Sequence, residues 1–321
     1  MDRDLHLSLF YQMLRIRRIE EAIHLRYKEQ RMRCPIHLSI GQEAIAVGVC
    51  SHLQTDDVVF SNHRCHAHYL AKGGDLRKMI AELHGKHNGC TKGRGGSMHL
   101  IDLDIGFQGS SPLAAGSIPL AAGFAFAHRI KGLSSVCCSF FGEGATEEGV
   151  FTETLHFAAL HNLALLFICE NNSDPVSAPT SSRRIKKRIP FKVAKAHGIF
   201  ALDSHENRIE EAYEVTKKAI DHIREKKKPA FIEFKTYRLC EHITSRSVDL
   251  DHYFDKKGVV WQSHCPIELS RKHLLSLEAL SLHELGKMEE KIASEVDESF
   301  AFARASRFPI FDLDDEKLYA D

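Results

Sequence analysis

Apolar positions along this chain change their period several times, and each change marks an element. Leu5, Leu9, Met13, Ile16, Ile19 and Ile23 recur at helical spacing, so residues 1–30 read as an amphipathic helix. Residues 41–53 read as a second helix, and the small-residue segment 120–130 as one able to pack close to a sheet. Two apolar runs of strand length, 135–141 and 163–169, bracket a helical segment at 147–161. Continuous apolar runs of this kind suit strands buried on both faces, as in a parallel sheet. Further on, 208–227 predicts a charged amphipathic helix, 229–237 a β-rich strand and 271–305 a helical C-terminal segment. Between these lie polar stretches. Residues 90–119, rich in glycine, serine and proline, are expected to form a long ordered loop, which is unusual without a functional reason. Residues 181–188 and 239–257 are expected as two further surface loops. Strands alternating with helices predict an α/β fold with a mostly parallel sheet and helices on both faces. No internal repeat breaks the chain, so residues 1–321 are expected to form a single domain.

The chemically richest stretch joins the two central strands. Phe140-Phe141-Gly142-Glu143-Gly144-Ala145-Thr146-Glu147-Glu148-Gly149 ends the first strand in a glycine-flanked carboxylate, and Cys169-Glu170-Asn171-Asn172 ends the second. Two parallel strands joined by a crossover would bring Glu143 and Asn172 to the same carboxyl edge of the sheet. One anionic oxygen and one amide oxygen there suit Mg2+, which takes few protein ligands and completes its octahedron with phosphate and water. The flanking glycines let a diphosphate approach the backbone. Capping and turn chemistry explain either residue alone, but not the paired spacing. Arg64, in Ser61-Asn62-His63-Arg64-Cys65-His66, offers a guanidinium that can hold a diphosphate through two parallel hydrogen bonds. His63, His66 and His68 also suggest a zinc cluster, but no carboxylate or thiol set accompanies them at ligand spacing.

Composition narrows the partners. Lysine plus arginine equal aspartate plus glutamate at 43 each, which argues against nucleic acid or an anionic membrane. The basic segment Ser181-Ser182-Arg183-Arg184-Ile185-Lys186-Lys187-Arg188 lacks interleaved aromatics, so it reads as a surface loop near phosphate. The nine cysteines are scattered with no Cys-x-x-Cys pair, as expected of buried reduced thiols. No apolar run approaches the ~18 residues of a membrane span. The expectation is a soluble, cytoplasmic protein.

At the motif residues the chain resembles a known family. Gly-Glu-Gly-Ala-x-x-Glu-Gly, a helix and then Glu-Asn-Asn is similar to the thiamine-diphosphate motif of the alpha subunits of 2-oxoacid dehydrogenases. These are the decarboxylating components of the pyruvate, branched-chain 2-oxoacid and acetoin dehydrogenase complexes. The commonest form has aspartate where Glu143 stands, and branched-chain members carry glutamate. Other blocks follow in the family's order: His37-Leu38-Ser39-Ile40-Gly41-Gln42-Glu43-Ala44, His63-Arg64-Cys65-His66, Lys92-Gly93-Arg94-Gly95-Gly96-Ser97-Met98-His99, Gly116-Ser117-Ile118-Pro119, and Thr236-Tyr237-Arg238 with His242.

The resemblance implies a thiamine-diphosphate-binding fold with thiamine diphosphate and Mg2+ as cofactors. It implies Glu143, Asn172 and the backbone carbonyl of Asp174 as metal ligands, Asp174-Pro175 standing where tyrosine is usual. Gly142, Glu143, Gly144 and Ala145 are implied cofactor contacts, with Arg64, Arg238 and His63, the last at a position often tyrosine. Leu113 and Ala114 are implied to prop the bent cofactor and meet its aminopyrimidine ring. His37 and His66 match histidines that line the active-site funnel. His242 matches one near the reacting carbon, where an imidazole can donate to a developing carboxylate or alkoxide.

In the family, the carboxylate that activates the aminopyrimidine comes from a beta subunit, and nothing in this chain replaces it. The chain is therefore expected to hold half a site within an alpha2beta2 heterotetramer. It would decarboxylate a 2-oxoacid and pass the acyl group to an acceptor such as lipoyl on an acyltransferase partner. Two rivals stand beside this reading. One is an acetoin-type, acyloin-type or biosynthetic enzyme subunit, which Asp174-Pro175, Ser204-His205 and Cys240-Glu241 keep open. The other is a non-catalytic structural subunit, against which Glu143, Asn172, Arg64 and His242 together speak.

Overall fold

The computed structural model describes residues 1–32, 34–172, 189–240 and 264–310. The chain runs α1 (Arg3–Tyr27), α2 (Glu43–Cys50), β1 (Val58–Ser61), α3 (His66–Ala71), α4 (Leu76–Leu83), β2 (Phe107–Ser110), α5 (Ser117–Ile130) and β3 (Cys137–Gly142). It continues α6 (Gly149–Leu160), β4 (Leu165–Asn171), α7 (Pro190–Ala196), β5 (Phe200–Ser204), α8 (Ile209–Lys226), β6 (Ala230–Lys235), α9 (Pro266–Ser276) and α10 (Leu282–Ala305). The strands form one parallel sheet in the order β2-β1-β3-β4-β6-β5. This is the α/β architecture expected. No helix among the described residues is long and apolar enough to cross a membrane.

Alternation along the central strands builds both layers. Cys138 and Phe140 of β3, Leu166 and Ile168 of β4, and Ile232 and Phe234 of β6 join α1 to α4 and α8 to α10 in one core. Cys137 and Phe141, Leu165 and Phe167, and Phe231 point the other way, into a second core with α5, α6 and α7. Both faces are therefore dry, and each fully buried Phe or Leu stabilises the fold by about 2 kcal/mol relative to exposure.

Several expectations need correction. The stretch 90–119 is not all loop: it contains 3-10 turns at Gly96–Met98 and Leu103–Ile105, strand β2, and the start of α5. Helix α5 starts at Ser117, so Pro119 lies in its first turn, where its missing N–H costs nothing. Strand β5 was not expected because Phe-Ala-Leu-Asp-Ser carries no apolar run. Both unanticipated strands lie at sheet edges, where one side and one neighbour are missing. The segment 271–305 divides in two: Glu278 adopts φ 52°, and Ser281 with Glu284 forms a reciprocal capping box that starts α10.

The glycine-rich stretch before β2 is held from below by one carboxylate. Glu82 of α4, 1% exposed, accepts from the backbone N–H groups of Thr91, Gly93, Gly95 and Gly96 at 2.8–3.0 Å. A Cβ on Gly93 would lie 2.7 Å from the Gly85 carbonyl oxygen, and one on Gly95 would lie 2.5 Å from that of His99. Glu82→Ala should therefore destabilise the protein by about 3 kcal/mol or more, because it strands several donors at once. Glu82→Gln, which keeps one acceptor oxygen, should lose less. Urea denaturation would measure both, and equal losses would contradict this account.

Candidate functional site

The chain crosses from β1 to β2 on one side and to β3 on the other, so the strand order reverses at the β1–β3 boundary. In open α/β sheets, ligands bind outside the carboxyl ends of the strands at such a point. The segments that leave here are Asn62-His63-Arg64 after β1, Gly142-Glu143 after β3, Asn172 after β4 and Thr236-Tyr237-Arg238 after β6. The register pairs Gly142 with Glu170, so Glu143 and Asn172 leave neighbouring parallel strands at the same edge. Glu143, 5% exposed, opens a 3-10 turn that runs to Glu147 and includes Gly144 and the buried Ala145. A Cβ placed on Gly142 would meet no atom within 4 Å, so there is open space where its side chain is missing.

Two guanidiniums are buried at this edge, with Arg64 at 5% and Arg238 at 8% exposure. The Leu38 carbonyl accepts from Arg64 Nη1 at 2.8 Å and from the Cys240 thiol at 3.5 Å, while Arg238 Nε donates to the Cys240 carbonyl at 3.0 Å. Burial pushes the Arg64 guanidinium down to about 10, and the positive charge of Arg238 pushes the same way. Burial also lifts the Cys240 thiol to about 11. Both arginines thus carry positive charge into a dry region, which favours an anionic ligand. His37 and His63 meet edge to face beside them, with ring centroids 4.8 Å apart.

Gly41 fixes this junction. Its φ is +100°, and a Cβ would lie 2.3 Å from the Tyr237 carbonyl oxygen and 2.7 Å from the Leu239 side chain. The Glu43 carboxylate accepts from the Gly41 N–H at 3.0 and 3.1 Å and from Arg17 Nε at 2.7 Å. Asn207 donates to the Gly41 carbonyl at 2.8 Å and accepts from Thr236 at 3.0 Å. The segment carrying Arg238 is therefore tied to the segment carrying His37 by close backbone contact at Gly41, with the buried side chains of Asn207 and Cys240 bridging the two.

Beneath these groups lies a layer that sequence reasoning missed. Glu170 is 3% exposed; it accepts from Asn62 Nδ2 at 3.3 Å and lies 3.2 Å from His68 Nε2. His68 Nδ1 in turn meets Ser61 Oγ at 2.8 Å, and Asn62 Oδ1 accepts from the Arg64 N–H at 2.7 Å. Glu170 thus sets the stretch that presents Arg64. The buried Glu20 carboxylate accepts from Ser39 N at 2.6 Å and meets His66 Nδ1 at 2.7 Å. Glu20 could have been found: it falls on the apolar stripe of α1, between Ile16 and Ile23, where a charge needs a partner.

His66 is wholly buried, with Nε2 on Ser97 Oγ at 2.9 Å as well, so both of its ring nitrogens are engaged away from the strand ends. Leu113 is 73% exposed and Ala114 is also exposed. They follow the edge strand, where Ser111 N donates to the Ser61 carbonyl at 3.1 Å. Asp174, His242 and the basic segment 181–188 lie outside the described residues. The structure thus brings together His37, His63, Arg64, Arg238, Glu143 and Asn172 at one sheet edge, with Leu113 and Ala114 at its rim. His66 stands beneath.

Residues 11–311 match the family described as "Dehydrogenase E1 component". The chain is similar to the alpha subunit of acetoin:2,6-dichlorophenolindophenol oxidoreductase of Bacillus subtilis, 33% identical over 305 residues, covering 94% of this chain and 90% of that one. It is also similar to the pyruvate dehydrogenase E1 component subunit alpha of Rickettsia bellii, 31% identical over 315 residues (98% and 94% covered). The mitochondrial counterpart of Pisum sativum is 34% identical over 309 residues (94% and 75% covered).

Gly41→Ala should force the Tyr237–Leu239 backbone away from its present seat and destabilise the protein by about 2–3 kcal/mol. The Leu239 N–H, which donates to the Ile40 carbonyl at 2.9 Å, should then exchange with solvent faster. Hydrogen exchange at that amide is the decisive reading, and an unchanged rate would show that the junction does not depend on Gly41.

Proposed function

The chain belongs to the dehydrogenase E1 component family, and we infer from this that it is the alpha subunit of a thiamine-diphosphate-dependent 2-oxoacid dehydrogenase-type enzyme. The observation that carries the reading is the meeting, at the sheet's switch point, of two buried guanidiniums with a buried carboxylate and an amide on neighbouring strand ends. The donor set fits a magnesium diphosphate. Glu143 and Asn172 offer hard oxygens of the kind Mg2+ takes, and the open space at Gly142 admits a phosphate close to the backbone.

In this reading Glu143, Asn172 and the Asp174 carbonyl hold Mg2+. Arg64, His63 and Arg238 hold the diphosphate with the backbone of Gly142, Glu143, Gly144 and Ala145. Leu113 and Ala114 prop the thiamine. Thiamine diphosphate, when bound, supplies the carbanion that adds to a keto carbon and the ring that accepts the electron pair released with CO2. The protein's share is placement and charge. Glu170, through Asn62, aims Arg64; the Glu20–His66–Ser97 chain stiffens the wall behind it. His37 and His242 are the histidines assigned to the reacting carbon, and His242 donates a proton to charge that develops there.

A beta subunit completes the enzyme, and the assembly is an alpha2beta2 heterotetramer that passes its acyl group to a lipoyl-bearing acyltransferase. Residues 1–321 act as one domain. The cysteines are all free and mostly buried, which suits a reducing cytoplasm. A second reading, an acetoin-type activity, is supported by the similarity to the acetoin oxidoreductase subunit, 33% identical against 31% for the pyruvate dehydrogenase subunit of Rickettsia bellii. Assay of the reconstituted pair with pyruvate, branched-chain 2-oxoacids and acetoin separates the two.

Calorimetry on the alpha–beta complex tests the site. Glu143→Ala should abolish Mg2+-dependent thiamine diphosphate binding, and Glu143→Asp should keep part of it. Normal binding by Glu143→Ala would remove the metal assignment. Arg64→Met should weaken cofactor binding by about 2–5 kcal/mol, the usual effect of deleting one side of a buried charge pair. His242→Ala should slow decarboxylation ~10²–10⁴-fold with cofactor affinity nearly unchanged. Undiminished turnover would make His242 a bystander.

A further inference from the structure

Away from the sheet edge, three elements distant in sequence bring metal-ligating groups to one point. His6 lies in the first turns of α1, Glu210 in the first turn of α8 and His273 towards the end of α9. One donor atom from each lies within 4.8 Å of the other two. His6 is buried at 5% exposure, with Nε2 3.4 Å from Glu210 Oε1 and 3.0 Å from Ser270 Oγ. The His6 and His273 rings are 5.5 Å apart. Glu210 Oε1 is buried and accepts no well-formed hydrogen bond, while Oε2 lies 3.5 Å from Arg208 Nε. Burial disfavours protonation of His6, which leaves its ring neutral with a lone pair to give. The group opens on a cavity of about 410 Å³ whose wall also carries Asp2, Arg3, Glu214 and Glu278.

We propose that His6, Glu210 and His273 form a divalent transition-metal site, best suited to Zn2+, distinct from the magnesium site at the sheet edge. Two imidazoles and one carboxylate select zinc over magnesium or calcium, which prefer oxygen throughout. Tetrahedral zinc holds its ligand atoms roughly 3.4 Å apart, so closure needs side-chain movements on the order of 1 Å. Coordination gives the stranded Glu210 oxygen a partner and leaves one position open to the cavity for water. The ion acts as a clamp that joins α1, α8 and α9.

The experiment uses the untagged full-length chain with its beta subunit, stripped with a chelator and re-equilibrated with Zn2+ alone. Elemental analysis after gel filtration should find one zinc per chain, lost in His6→Gln and in His273→Gln. Zinc at ~100 times its dissociation constant should raise the melting temperature of the unmutated protein by several degrees and leave both variants unmoved. Co2+ in place of zinc should show the visible absorption of a tetrahedral site only in the unmutated protein. Glu210→Gln, which keeps the shape, should weaken zinc binding at least tenfold while the metal-free melting temperature stays within a degree. Zinc retained at full stoichiometry in the two histidine variants, or absent from the unmutated protein, overturns the proposal.

Discussion

The parallel pairing of β3 with β1 on one side and β4 on the other is the constraint on which the rest depends. It sets Arg64, Glu143 and Asn172 at three adjacent strand ends. It also creates the reversal of strand order that opens a crevice there. None of these residues is near another along the chain, and no local structure could place them. The apolar runs that make the pairing stable, such as Phe140-Phe141 against Ile168-Cys169, are therefore as much a part of the site as its polar groups.

Around that pairing the protein buries an unusual amount of charge. Glu20, Glu43, Glu82 and Glu170 are each at most 3% exposed, and Arg17, Arg64 and Arg238 at most 8%. Such burial is costly unless every group is engaged. The carboxylates meet this condition by accepting backbone N–H groups or by holding a histidine, an asparagine or Arg17. They act as fixed anchors for loops that have no regular structure of their own. The arginines are engaged as well, Arg17 by Glu43, Arg64 by the Leu38 carbonyl and Arg238 by the Cys240 carbonyl, and burial lowers Arg64 while leaving it charged.

Exposure at the rim fits a chain that works with a partner. Leu113 is 73% exposed, and Leu120 and Phe124 continue an apolar strip along α5. Contiguous exposed apolar surface of this kind is commonly covered by another chain.

The sequence by itself determined the α/β alternation, the central strand–helix–strand unit and the departure of Glu143 and Asn172 from neighbouring strands at one edge, because strands buried on both faces must be written as apolar runs and the strand ends follow from them. Arg64 and Arg238 were legible through the family's motif order. Tertiary structure alone decided the edge strands β2 and β5, whose single neighbours demand no apolar run. It alone decided that His66 is held between Glu20 and Ser97 beneath the crevice. The same holds for the Glu170 layer and for the meeting of His6 with Glu210 and His273. Each of these joins residues far apart along the chain through hydrogen bonds or ligand geometry, and neither hydrophobic period nor local propensity records which distant partner a buried polar group will find.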